Sequence, residues 1–118
     1  MLKKERKDVK MHNQGFISLS EYGEKKPIKS NLSLHLGEIF ITVNAQNILT
    51  DSDISSALNR HKSGDWGELC EEDCMVNEDA LKEHERIMSV YTSSNGKKFW
   101  IITEADRSRT TILMPEDY

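Results

Sequence analysis

Residues 86–114 read RIMSVYTSSNGKKFWIITEADRSRTTILM, and this stretch decides the fold class. It contains three β-rich runs, 86–92, 98–104 and 110–114, separated by two polar turns. The pair Asn95-Gly96 offers the positive φ angles that a tight hairpin needs, and residues 105–109 supply the second reversal. Pro115 has no amide hydrogen to give to a ladder and stops the last run. These features predict a three-stranded antiparallel meander.

Helical signals precede it. Thr50 or Asp51 can cap a helix whose apolar residues Ile54, Ala57 and Leu58 recur at spacings of three and four. Asp53 lies near the positive end of that helix, Arg60, His61 and Lys62 near the negative end, and Gly64 follows. Asp65 to Glu68 reads as a turn. A second helical stretch covers about 71–85, with a predicted interruption near Asn77, which can cap a new turn carrying Ala80, Leu81 and His84. Farther upstream, Gly15 to Ser20 alternates as a short strand, and Tyr22 to Ser30 is a loop. Asn31 to Leu36 alternates again, Gly37 breaks it, and Glu38 to Val43 is a β-branched strand, so 31–43 is expected as a hairpin or one bent strand. The expected fold class is α+β: a small antiparallel sheet of three to five strands with two or three short helices on one face. Residues 1–14 lack an apolar period and are expected to be a flexible basic arm ahead of a single domain, 15–118.

The chain's 118 residues suit one core without disulfides or metal. No apolar stretch approaches the ~20 residues that span a bilayer, and the lysine-rich start lacks the apolar run of a signal peptide. Cys70 and Cys74 are too few and too close for a secreted disulfide framework. A cytoplasmic location is therefore expected. Net charge is −4, distributed unevenly. Residues 1–30 hold eight basic and four acidic residues, a net +4, whereas 31–118 hold eight basic and sixteen acidic, a net −8. An acidic body repels phosphate, so nucleic acid is expected to meet only the basic arm, if it is met at all. An exposed segment containing Phe16 and Ile17 can also pair as an edge strand with a second copy, which leaves a dimer open.

Three groupings carry candidate chemistry. His61, Cys70, Cys74 and His84 are zinc-ligand types, but the histidines bracket the cysteines at the wrong spacing, and no metal or other cofactor is expected. The alternative for these residues is two partly buried thiols and two surface or capping histidines. A hydrolase or nuclease reading would use His61, Asp65, Glu104, Asp106 and Arg107: Cys70 or a serine as nucleophile served by His61 and oriented by Asp65 or Asp73, or Glu104, Asp106 and Arg107 as acid, base and anion clamp, although no nucleophile motif surrounds them. The residues of the 104–107 turn have a simpler use in satisfying the turn's own backbone. The most distinctive feature is acidic: Asp65, Glu68, Glu71, Glu72, Asp73, Glu78 and Asp79 crowd residues 65–79 without one Lys or Arg. Carboxylates so arranged can occupy guanidinium groups that otherwise hold phosphate. Trp66, between Gly64 and Gly67, serves either as a core anchor or as a binding residue.

The motif Leu58-x-Arg60-His61-x-x-Gly64-Asp65-Trp66-Gly67, then Glu72-Asp73-x-x-x-Asn77, then Ser89-x-Tyr91, leads to a closing block from Trp100 through Glu104, Asp106, Arg107, Thr110 and Thr111 to Met114 and Tyr118. In these residues the chain resembles a family of small accessory proteins carried on plasmids and conjugative transposons, some labelled restriction-related. The resemblance covers roughly the last 70 residues. It implies a mobile-element accessory protein, and for a small acidic binding domain in that setting it implies inhibition of a host defence nucleoprotein, a CRISPR effector or restriction complex. The family pattern has no cysteines at positions 70 and 74, which weighs further against zinc and thiol chemistry.

The expected function is thus a non-enzymatic binding inhibitor. It would occlude a nucleic-acid-binding surface with Asp65, Trp66, Glu68, Glu71, Glu72, Asp73, Glu78 and Asp79 and with the Glu104, Asp106 and Arg107 turn. The alternatives are the RNA-directed hydrolase and a regulatory DNA- or protein-binding module of the element.

Overall fold

A computed structural model describes the backbone of Phe16–Ser18 and the whole of residues 32–118. The predicted arm at 1–14 and the predicted loop at 22–30 lie outside the described residues. In chain order the elements are β1 (Phe16–Ser18), β2 (Glu38–Thr42), α1 (Val43–Ile48), α2 (Asp51–Lys62), α3 (Glu71–Glu83), β3 (Ile87–Thr92), β4 (Lys98–Thr103), β5 (Arg109–Leu113) and a 3-10 turn, Pro115–Asp117.

The class is α+β, and β3, β4 and β5 form the expected antiparallel meander, in register at Val90↔Trp100 and Trp100↔Leu113. The five strands lie in the order β1-β2-β5-β4-β3. The sheet is mixed rather than wholly antiparallel, because β2 runs parallel to β5, with Ile41 beside Ile112. Strand alternation puts Ile39, Ile41, Tyr91, Phe99, Ile101 and Ile112 on one face, where they form a core with Ala45 of α1 and Ile54, Ala57 and Leu58 of α2. α3 packs along β3, at the far edge from β1.

Local chemistry explains the helix starts. Thr50 and Asp53 exchange hydrogen bonds as a capping box, Asp53 N to Thr50 Oγ1 at 3.0 Å and Thr50 N to Asp53 Oδ2 at 3.1 Å. Thr42 ends β2 and caps α1 by accepting from Ala45 N, while its hydroxyl donates to Asp117 at 2.6 Å. That helix begins at Val43, which the sequence reading placed in the strand. Residues 32–36 do not form a strand or a hairpin with β2. Leu34 N instead donates to Lys62 O at 2.8 Å, so this segment passes the end of α2 and buries Leu34 and Leu36. α3 runs without the expected interruption at Asn77. At the β3–β4 turn only Gly96 is left-handed, at φ +85, so the loop closes through Ser93 N to Lys97 O at 2.8 Å rather than as a two-residue turn on Asn95-Gly96. Among the described residues no helix is long and apolar enough to cross a membrane.

Candidate binding surface

His61 sits at the centre of the core. It is completely buried, Nδ1 lies 2.6 Å from Ser89 Oγ, and Nε2 lies 2.9 Å from Thr103 Oγ1. Counting hydroxyl protons fixes the tautomer. Thr110 gives its proton to Leu36 O at 2.7 Å, so Thr103 must donate to Thr110, and the imidazole must donate to Thr103 through Nε2. Nδ1 then accepts from Ser89. Burial, with the Arg107 charge as a smaller contribution, pushes the imidazole from 6.5 down to about 3, so it stays neutral. Trp66 stands edge-on to the ring at 5.8 Å between centroids. The expectation that His61 is a surface or capping histidine is corrected, and the same burial removes it as a general base because no substrate reaches it. His84 does cap a helix, as the left-handed C-cap of α3.

The turn at 65–67 is structural. Arg60 holds Asp65 in a two-pronged ion pair, Nε to Oδ2 at 2.8 Å and Nη2 to Oδ1 at 3.2 Å, and Asp65 also accepts from Gly67 N. Its carbonyl accepts from the Tyr91 phenol at 2.7 Å, and Arg60 lies over the Tyr91 ring. Trp66 is 4% exposed and donates through Nε1 to Glu78 at 2.9 Å. It is a core anchor, the first of the two readings open for it, and does not belong with the partner-facing residues. Gly67 takes φ +76, and a Cβ there would lie 1.9 Å from Val90 O. This close approach lets the chain pair with β3: Val90 N donates to Trp66 O at 3.2 Å and Glu68 N to Val90 O at 2.7 Å.

The 104–107 turn likewise serves the fold. Arg107, at φ +63, donates to the carbonyls of Ala80, Glu85, Glu104 and Ala105, and so ties the turn to the C-terminal end of α3. Asp106 accepts from both the amide and the hydroxyl of Ser108, which hold its carboxyl below the usual range. Glu104 pairs with Arg86. Each group of the proposed acid, base and anion clamp is committed to the turn or its neighbours. Among the described residues, no three His, Cys, Asp or Glu side chains are placed to hold a metal ion. Cys70 is the exposed N-cap of α3, and Cys74 is partly buried, with Sγ 3.7 Å from Leu69 O.

What remains of the acidic run is the outer surface of α3. Glu68 is taken by the Lys98 ammonium and the Thr92 hydroxyl, which hold it below the usual carboxylate range, and Glu78 by Trp66. Glu71, Glu72, Asp73 and Asp79 are exposed and form no side-chain hydrogen bond or ion pair among the described residues. Met75 and Val76 lie among them, 63% and 59% exposed. On the inner side Asn77 is buried. Its amide donates to Met88 O at 2.7 Å and accepts from Met88 N at 3.3 Å, the two bonds that a neighbouring strand would make. Beside it opens a groove of about 250 Å³ lined by Leu69, Asp73, Val76, Asn77, Arg86 and Met88. The sequence reading singled out the carboxylates of 65–79 and passed over Met75 and Val76. Their signal was two large apolar residues inside an otherwise acidic helix.

In comparisons with protein-family models, curated proteins and solved structures, the chain finds no match.

Proposed function

We propose that the chain acts by binding, and that it inhibits a bacterial defence nucleoprotein, a CRISPR effector or a restriction complex, by covering a cationic nucleic-acid-handling surface. One observation carries this reading. Of the acidic residues between 65 and 79, three are committed within the fold, while among the described residues Glu71, Glu72, Asp73 and Asp79 have no side-chain partner and surround two exposed apolar side chains. Unpaired carboxylates attract Arg and Lys, and an exposed apolar pair is the kind of surface that gains free energy by leaving water. The assignment to defence rests on the resemblance to mobile-element accessory proteins.

Mechanistically the inhibition is occlusion. α3 presents its charge rigidly because Asn77, Trp66 and Arg107 pin it at its middle, its flank and its C-terminal end. Binding is stoichiometric, and its on-rate falls with salt. The test is a pull-down of tagged protein from lysates containing such complexes, with mass spectrometry of what is retained. Retention of one nuclease complex in equal amount, released by salt and lost on Glu72→Lys with Asp79→Lys, is the expected result. Retention of nucleic acid alone through residues 1–30 would replace this reading with a regulatory module of the element. Capture of nothing by abundant folded protein would overturn it.

A further inference from the structure

We infer that the groove between α3 and β3 is a peptide-docking site, and that its occupant is a cationic amphipathic segment of the partner that inserts an apolar side chain between Val76 and Met88. This rests on the reading of α3 as the binding surface and names the element that the surface receives.

Three observations converge on that occupant. The groove's apolar contacts come from two sides, Val76 on the helix with Leu69 just before it, and Met88 on β3, so a side chain resting in this open groove is touched by both elements. The groove also continues onto exposed helix surface, since Val76 and its neighbour Met75 both face solvent. A segment anchored in the groove therefore extends across α3, within a helical turn of Glu72, Asp73 and Asp79. Arg86, the one cation among the described residues of the lining, is already bonded to Glu104 and to the Tyr118 hydroxyl at 2.8 Å. Among the described residues the carboxylates within a turn of the groove, Glu72, Asp73 and Asp79, outnumber the one free ammonium farther along α3, Lys82, and this selects for Lys or Arg flanking the inserted residue and disfavours phosphate. A nucleic acid thus fails on charge, and an acidic peptide fails for the same reason.

The experiment uses the full chain and two fluorescein-labelled peptides, one an amphipathic helix of leucine and lysine, the other with every leucine replaced by serine. Binding is read by fluorescence anisotropy, and the site by amide resonances. The leucine peptide is expected to bind about tenfold or more tighter than the serine peptide. Val76→Asp should remove that advantage, and Met75→Ser, a milder change at an exposed position, should reduce it. Shifted amides should centre on Leu69, Val76 and Met88. Equal binding of the two peptides would overturn the inference, because charge alone would then suffice. So would binding that ignores Val76→Asp. A groove filled by the chain's own residues 1–14, seen as shifts in their amides on Val76→Asp without any peptide, would also overturn it, as would a concentration-dependent dimer abolished by that change. A defence complex retained in the pull-down regardless of Val76→Asp would refute this inference and leave the proposed function standing.

Discussion

α2 and α3 are nearly equal in length, 12 and 13 residues, and are held in opposite ways. α2 opens with a reciprocal capping box and buries Ile54, Ala57, Leu58 and His61. α3 opens on Cys70 without a side-chain cap bond and buries Asn77 and Ala80. The first is fixed by apolar burial from within. The second is fixed by polar bonds at three points with a smaller apolar contact through Ala80, Leu81 and Cys74, and its residues Met75 and Val76 point outward. A helix that gives most of its carboxylates and two of its three large apolar side chains to solvent contributes less to stability for its length, which is the pattern expected of a surface kept for a partner.

The sharpest way to break this comparison is truncation on both helices. Leu58→Ala should cost about 3 kcal/mol, read from the urea midpoint, because a fully buried side chain leaves a cavity. Val76→Ala should cost under ~0.5 kcal/mol. If both helices respond alike, the distinction fails. Acid tests α2 from inside. His61 titrates near 3 when folded and near 6.5 when unfolded, so its contribution is complete above 6.5 and is lost as pH falls towards 3. Between pH 7 and pH 5 that loss is about 2 kcal/mol, measured by denaturant titration at each pH, and His61→Gln should flatten the slope.

On α3, Asn77→Ala strands the amide and carbonyl of Met88 and should cost about 2 kcal/mol, with faster hydrogen exchange at Met88 and Val90. Thr50→Ala, which removes one half of the α2 cap, should cost about 1 kcal/mol. Smallest in stability is Val76→Asp, expected within ~0.5 kcal/mol of the parent while peptide binding falls about tenfold.

The legible parts of the fold are those whose signals are local. The meander follows from alternation between turns, and α2 from Thr50 and Asp53 three residues apart. α1 escaped notice because Thr42 and Asn44 owe part of their bonding to Asp117, more than 70 residues away. The parallel pairing of β2 with β5 has no local trace either. Ser89, Thr103 and Thr110 look like ordinary strand residues, and nothing in their neighbourhoods announces that they converge on His61. At the candidate surface the acidic run was visible, but which carboxylates are taken up depends on Arg60, Lys98 and Trp66 reaching them through the tertiary fold.

The bonds from Asn77 to Met88 bear on how the protein emerges during synthesis. β3 is an edge strand, and an edge strand with free amides invites pairing with another chain. Asn77 lies eleven residues before the strand position that it satisfies, and Trp66 and Glu68, which satisfy Val90, also come earlier in the chain. Among the described residues, the groups that block the outer edge of β3 are therefore all synthesised before the strand itself. β4, which pairs with its inner edge, follows later. The vulnerable side of the sheet is translated after its guard, so a nascent chain never has to display Met88 and Val90 while waiting for sequence still to be made.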